Sequence, residues 1–132
     1  GAAAYAIQPD LCINLDVTLY GDTPKCIPMA MKLGAGAAIK VMDASVLVPP
    51  VVYTWLEKVA DDHGIQHQRD VMRMGGTDTS AVQKTRGGVL VGGVSIPLRY
   101  MHSPVEMADK ADFAATAALL RAVACENELP TR

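Results

Sequence analysis

The sequence predicts an α/β fold, with a mixed, largely parallel sheet packed by helices. Two observations carry that expectation. Short runs rich in β-branched residues and bounded by Gly, Pro or Asp alternate with segments whose apolar residues recur at helical spacing. Their order is strand, strand, helix, strand, helix, strand, helix, which is that of an α/β layer. The 132 residues, 50% of them hydrophobic, suit one domain with a packed core.

The strands come first. "LCINLDVTLY" (11–20), "AAIKVMD" (37–43) and "GVLVGGVSI" (88–96) read as buried strands, and the more polar "IQHQRDVM" (65–72) as one at an edge. "PPVVYTWLEKVADDHG" sets Val52, Trp55, Leu56, Val59 and Ala60 on one helical face, with prolines at its start and Gly64 past its end. A shorter helix is expected from near Thr77 or Asp78 to Gly87, and a last one from about Pro104 to Cys125. There Ser103, Pro104 and Glu106 fit a capping box. Residues 126–132, "ENELPTR", read as a tail behind a body of residues 1–125.

Composition narrows the partners. Twelve basic against 14 acidic residues leave no electrostatic footprint for nucleic acid or an anionic membrane. No apolar run approaches the roughly 20 residues of a membrane span, since Arg121 interrupts "FAATAALLRAVAC". Cys12, Cys26 and Cys125 are odd in number and lack metal-type spacing, which suits a reducing compartment and a cytoplasmic location. The first residues, "GAAAYAIQPD", resemble neither a signal peptide nor a natural start.

Two residues stand out against this frame. In "RYMHSP" (99–104), His102 takes no part in the expected cap and falls at the carboxyl end of a strand, where open α/β sheets place their ligand sites. The alternative is a loop histidine held by a backbone carbonyl. Asp16 interrupts the apolar strand "CINLDVTL". In a strand buried on both faces its desolvation costs several kcal/mol unless a cation, a metal or several donors meet it. An edge position facing water or an arginine would remove that cost. Asp22, in "YGDTP", reads as a turn residue. His63 and His67 are four apart, but Gly64 breaks any helix that would set them on one face. "GGTD" (75–78) is a weak match to a glycine-rich anion cradle.

The segments "INLDVTLYGDTP", "GIQHQRDVM" and "GGTDTSAVQKTRGGVLVGGVSIPLRYMHSPVEMAD" closely resemble, in colinear order, the carboxyl-terminal half of the glutamyl or tetrahedral aminopeptidases. These are two-metal exopeptidases whose members often carry cellulase or endoglucanase labels. The resemblance implies a partial zinc-exopeptidase-type (phosphorylase/hydrolase-like) domain and a metal-dependent aminopeptidase acting on peptides. It assigns Asp16 to one divalent cation and His102 to the other, with zinc or cobalt the expected metals. It makes Gly75, Gly76, Thr77 and Asp78 candidates for a loop near the substrate.

In such enzymes two cations activate a water while a glutamate acts as general base. The family's paired glutamates fall just ahead of the segment that "GAAAYAIQPD" resembles, so the general base is expected upstream of Gly1. The chain also lacks the family's inserted smaller β domain. It departs from the pattern at Thr79 and Ser80, where small residues are common, and at Lys25, where glycine is frequent. Three functions are compatible with these residues: half of an aminopeptidase site, inactive alone and binding metal weakly or not at all; a non-enzymatic domain for binding or assembly; and an endoglucanase. The last would need two carboxylates across the scissile bond. Asp16 and His102 are expected at neighbouring strand ends on the same side of one sheet, and the chain is expected to form a homo-oligomer.

Overall fold

The computed structural model describes residues 1–131. Four strands form one sheet in the spatial order β1 (Leu11–Leu19), β4 (Leu90–Arg99), β2 (Ala37–Met42) and β3 (His67–Val71), and a two-residue β5 (Met107–Ala108) pairs with β4. The long pairings are parallel: β1 runs beside β4 from Leu11↔Leu90 to Leu19↔Leu98, and β2 beside β3 from Ala37↔His67 to Lys40↔Asp70. β2 meets β4 antiparallel at Ala38↔Ser95 and Ile39↔Val94, and β5 is also antiparallel to β4. The sheet is therefore mixed and largely parallel, with β1 and β3 at its edges.

Helices α2 (Pro50–Asp62) and α4 (Lys110–Cys125) cover one face. Val52, Leu56, Val59 and Ala60 recur at helical spacing and are buried against Ile39 and Val94 of the sheet and Leu119 of α4. A Cβ on Gly92 would come within 2.9 Å of Val52 Cγ1 and 3.1 Å of Leu56 Cδ1, so the bare backbone of β4 lets α2 lie close. Trp55 is half-buried at the flank of this face, and its indole N–H donates to the Glu128 carbonyl at 3.1 Å. That bond holds the segment behind α4 against α2.

The opposite face carries the short helices α1 (Ala2–Ile7) and α3 (Asp78–Gln83), whose Ala4 and Val82 pack with Val46 and Val91. Lys40 alternates with Ile39 along β2 and so points to this second face. There its ammonium lies 2.6 Å from Asp70 of β3, with the two side chains 1% and 0% exposed. The Lys40 stem passes over Gly93, where an added Cβ would sit 3.0 Å from Lys40 Cβ.

The structure corrects four local expectations. First, α4 starts at Lys110 and not near Pro104, because Met107–Ala108 extend to pair with Leu98 and Arg99. Asp109 is the cap and accepts from the Ala111 N–H at 2.7 Å. Asp112, fully buried in the first turn of α4, accepts from the N–H groups of Gly34 and Gly36 and ties the helix to the entry of β2. Second, among the described residues β1 is an edge strand in which only Thr18 is fully buried, so these residues do not cover it on both faces. Third, α3 stops at Gln83, ahead of Gly87. Fourth, α1 forms where the sequence suggested no element. Arg132 of the expected tail lies outside the described residues.

Candidate metal and substrate cleft

β1 and β4 run parallel, so their carboxyl halves open on the same side of the sheet. There Asp16, His102 and the Gly75–Asp78 loop line one cleft of about 570 Å³. Every residue singled out in the sequence for metal or substrate contact borders it. An apolar recess of about 500 Å³ adjoins it and shares Leu19, Met72 and Met74.

Asp16 lies within β1, three residues before the end of the strand, and is half-buried. Its edge position reduces the desolvation expected for a strand enclosed on both faces. Its Oδ1 accepts from the adjacent Val17 N–H at 2.8 Å, and it forms no ion pair among the described residues. No arginine meets it. The arginine near this end of the sheet, Arg99, instead pairs through its Nε with Asp22 Oδ1 at 2.7 Å, and a second bond joins Nη2 to Oδ2. Asp22 is thus an ion-pair partner that fastens the loop after β1 to the end of β4, which its turn-forming context had hidden.

His102 is exposed, three residues past β4. Its backbone is held in place: φ is +65° at His102 and +57° at Tyr100, and its N–H donates to Glu106 Oε1 at 2.7 Å. Left-handed backbone at two non-glycine residues costs on the order of 1 kcal/mol each, the kind of local strain found at ligand sites. Glu106 reaches back to the His102 backbone as a turn lock, in place of the expected helix cap. His63 and His67 point elsewhere. His63 Nε2 is 3.5 Å from Glu126, and His67 Nδ1 contacts the Ile65 carbonyl at 3.2 Å.

The loop at residues 75–78 is positioned from the end of β2. Ala44 N–H donates to the Gly75 carbonyl at 3.1 Å, and Thr77 Oγ1 donates to Asp43 Oδ2 at 3.0 Å. Gly76 packs so closely that a Cβ would fall 2.6 Å from Ser45 Oγ. Asp43, 3% exposed, also accepts from Ser45 N–H, Ser45 Oγ and Val46 N–H through Oδ1. Burial is the largest single influence on its carboxyl and opposes ionisation. The Ser45 hydroxyl and amide, the Thr77 hydroxyl and the Lys40 charge together outweigh it and hold the pKa below its ordinary value. Sequence reading missed Asp43, although Asp followed two residues on by Ser is the pattern of a side-chain-closed turn.

Among the described residues no three of His, Cys, Asp and Glu converge as a metal cluster. Asp16 and the His102 imidazole are donors of the right kind for zinc, but too few to enclose an ion. The mixed, largely parallel sheet and its strand-end cleft define an α/β domain whose cleft lies where such sheets place their ligand sites.

The family comparison agrees. Residues 1–119 match the M42 glutamyl aminopeptidase model, and the chain belongs to that family. It is 37% identical over 125 residues to the lysyl aminopeptidase of Pyrococcus furiosus, covering 92% of this chain and 34% of that one. It superposes on an aminopeptidase of Desulfurococcus kamchatkensis with a TM-score of 0.86 at 36% identity, covering 92% and 35% of the two chains. For a TET aminopeptidase of a marine sediment Thaumarchaeota archaeon the values are 0.90, 26%, 96% and 36%. The TET1 peptidase of Pyrococcus horikoshii, described as assembling into a tetrahedron or a large octahedral shell, gives 0.70 at 27% identity, covering 86% and 33%. The chain spans about a third of the length of each of these proteins.

Proposed function

We propose that this chain supplies part of the catalytic centre of a metal-dependent aminopeptidase that removes residues from the amino terminus of peptides. Asp16 would hold one divalent cation and His102 a second, zinc or cobalt, as the family resemblance implies. Bound cations would supply Lewis-acid polarisation and an activated water. The part played by this chain would be to hold one donor in β1 and the other in the turn after the neighbouring β4, and to border the substrate with Gly75–Asp78. The observation that carries the reading is that all these residues, chosen from sequence, line one cleft.

The general base and the remaining ligands would come from outside these residues, so the chain alone is expected not to turn over substrate. Three free cysteines fit a reducing compartment, and we assign the protein to the cytoplasm. The relatives' assemblies favour self-association of this chain as well.

Cobalt(II) titrated into the isotopically labelled chain tests the site by NMR. Paramagnetic broadening should centre on the amides of Asp16, His102 and Gly75–Asp78, and weaken in Asp16→Ala and His102→Ala. Broadening centred on His63 and His67, or unchanged in both variants, would remove the metal reading.

A further inference from the structure

We propose that Ser95 is a positioning residue for the Asp16 carboxylate: when a cation is bound, the serine hydroxyl donates to Asp16 Oδ1 and fixes Oδ2 toward the cleft. The inference rests on the metal reading above and adds to it a residue that lies beneath the cleft and does not line it.

Ser95 sits in the middle of β4 and is 0% exposed, and its Oγ has no hydrogen-bond partner among the described residues. A hydroxyl buried in that way is destabilising, and because it is fully enclosed, only a group already packed beside it can meet it. The sheet leaves few such groups. Gly93 and Pro97, two residues away on the same face of β4, have no polar side chain, and neither has Ala38, its partner on β2. Lys40, two residues beyond Ala38 on that face, sends its ammonium to Asp70 instead. The Thr79 hydroxyl of α3 is buried too, and it does not bond to Ser95.

On its other side Ser95 stands beside Asp16. β1 and β4 are parallel and in register there, Asp16↔Ser95, so the two side chains leave the same face of the sheet from strands about 5 Å apart. That separation puts a serine hydroxyl within hydrogen-bonding reach of a carboxylate oxygen.

Asp16 has room for the bond. Its Oδ1 accepts from the Val17 N–H at 2.8 Å, and a carboxylate oxygen can accept two hydrogen bonds. With the Val17 amide and the Ser95 hydroxyl both on Oδ1, the carboxylate keeps one orientation and Oδ2 is the oxygen left for the cation. A ligating carboxylate is commonly held by such a donor, which stops it turning away from the ion. The hydroxyl has no partner in the fold as it stands, so its loss should be felt in metal affinity and not in folding.

Two measurements on the whole chain test the role together: cobalt(II) affinity, read from the broadening of the Gly75–Asp78 amides over a titration, and the unfolding midpoint in denaturant. Ser95→Ala should raise the dissociation constant roughly 10–100-fold and leave the midpoint at the wild-type value or above it. Ser95→Thr, which keeps the hydroxyl, should bind as the wild type does. Cobalt that binds Ser95→Ala as tightly as the wild type, while Asp16→Ala loses it, overturns the role of Ser95 and leaves the metal reading standing. Weaker binding with a lower midpoint in Ser95→Ala, or equal weakness in Ser95→Ala and Ser95→Thr, makes the serine a packing residue and also overturns the role. A wild-type chain in which cobalt broadens neither Asp16 nor His102 removes the metal reading and this inference with it.

Discussion

Thr77 donates its hydroxyl to Asp43 Oδ2 at 3.0 Å, and through that bond the end of β2 fixes the loop that borders the cleft. Asp43 simultaneously closes its own turn on Ser45 and Val46, so a single buried carboxylate joins two loops that are more than 30 residues apart in the chain. The loop near the proposed substrate site is held from the sheet and not from within itself.

Asp43→Ala should therefore destabilise the protein by about 3 kcal/mol, because it strands buried donors that now meet a charge. Denaturant unfolding measures the loss. Thr77→Val should cost less, since only one of the four hydrogen bonds to Asp43 disappears. An equal cost for the two variants would mean that the Ser45 bonds carry little of the stability.

The same carboxylate predicts an acid limit. Its folded-state pKa is depressed, so its contribution is full above the unfolded value of about 4 and is lost as pH falls through the depressed value. Unfolding midpoints measured between pH 7 and pH 2 should fall more steeply below about pH 4 in the wild type than in Asp43→Asn. Parallel curves would show that other carboxylates set the acid limit.

What could be read from the sequence divides along physical lines. β2 and α2 were found because their own periodicity and end signals decide them, and the buried Val52, Leu56 and Val59 keep that pattern. The start of α4 was misplaced because the Ser103–Glu106 pattern is locally a good cap, and the pairing of Met107–Ala108 with β4 overrides it. Asp16 and His102 were legible as breaks in pattern. Asp43 was not, since an aspartate that ends a strand resembles ordinary punctuation until Thr77 arrives from 34 residues away. Asp70, part of a polar run in the sequence, pairs with Lys40 only because β3 stacks beside β2 in that register.

That ion pair supports a second stability prediction. Asp70→Ala leaves the Lys40 ammonium buried without its counter-charge and should cost about 3–5 kcal/mol, whereas the double replacement Lys40→Met with Asp70→Leu should recover most of the loss. A double-mutant cycle by chemical denaturation measures the coupling. Additive effects of the two single changes would mean that each side chain finds another partner when the other is removed.

The last prediction concerns metal affinity, and it follows from counting donors. A closed zinc site takes four protein ligands and a catalytic one usually three, while the cleft offers one carboxylate and one imidazole, assigned by resemblance to different ions. The Val17 N–H occupies only Asp16 Oδ1, so Oδ2 remains open to a cation. The carboxylate's edge position reduces the desolvation that would otherwise favour a counter-ion. Titration calorimetry with zinc should therefore show binding no tighter than the micromolar range, weakened further by His102→Ala and Asp16→Ala. A stoichiometric nanomolar site lost in Asp16→Ala would show that further ligands converge there, and Asp78, which lines the same cleft, would be the first residue to replace in finding them.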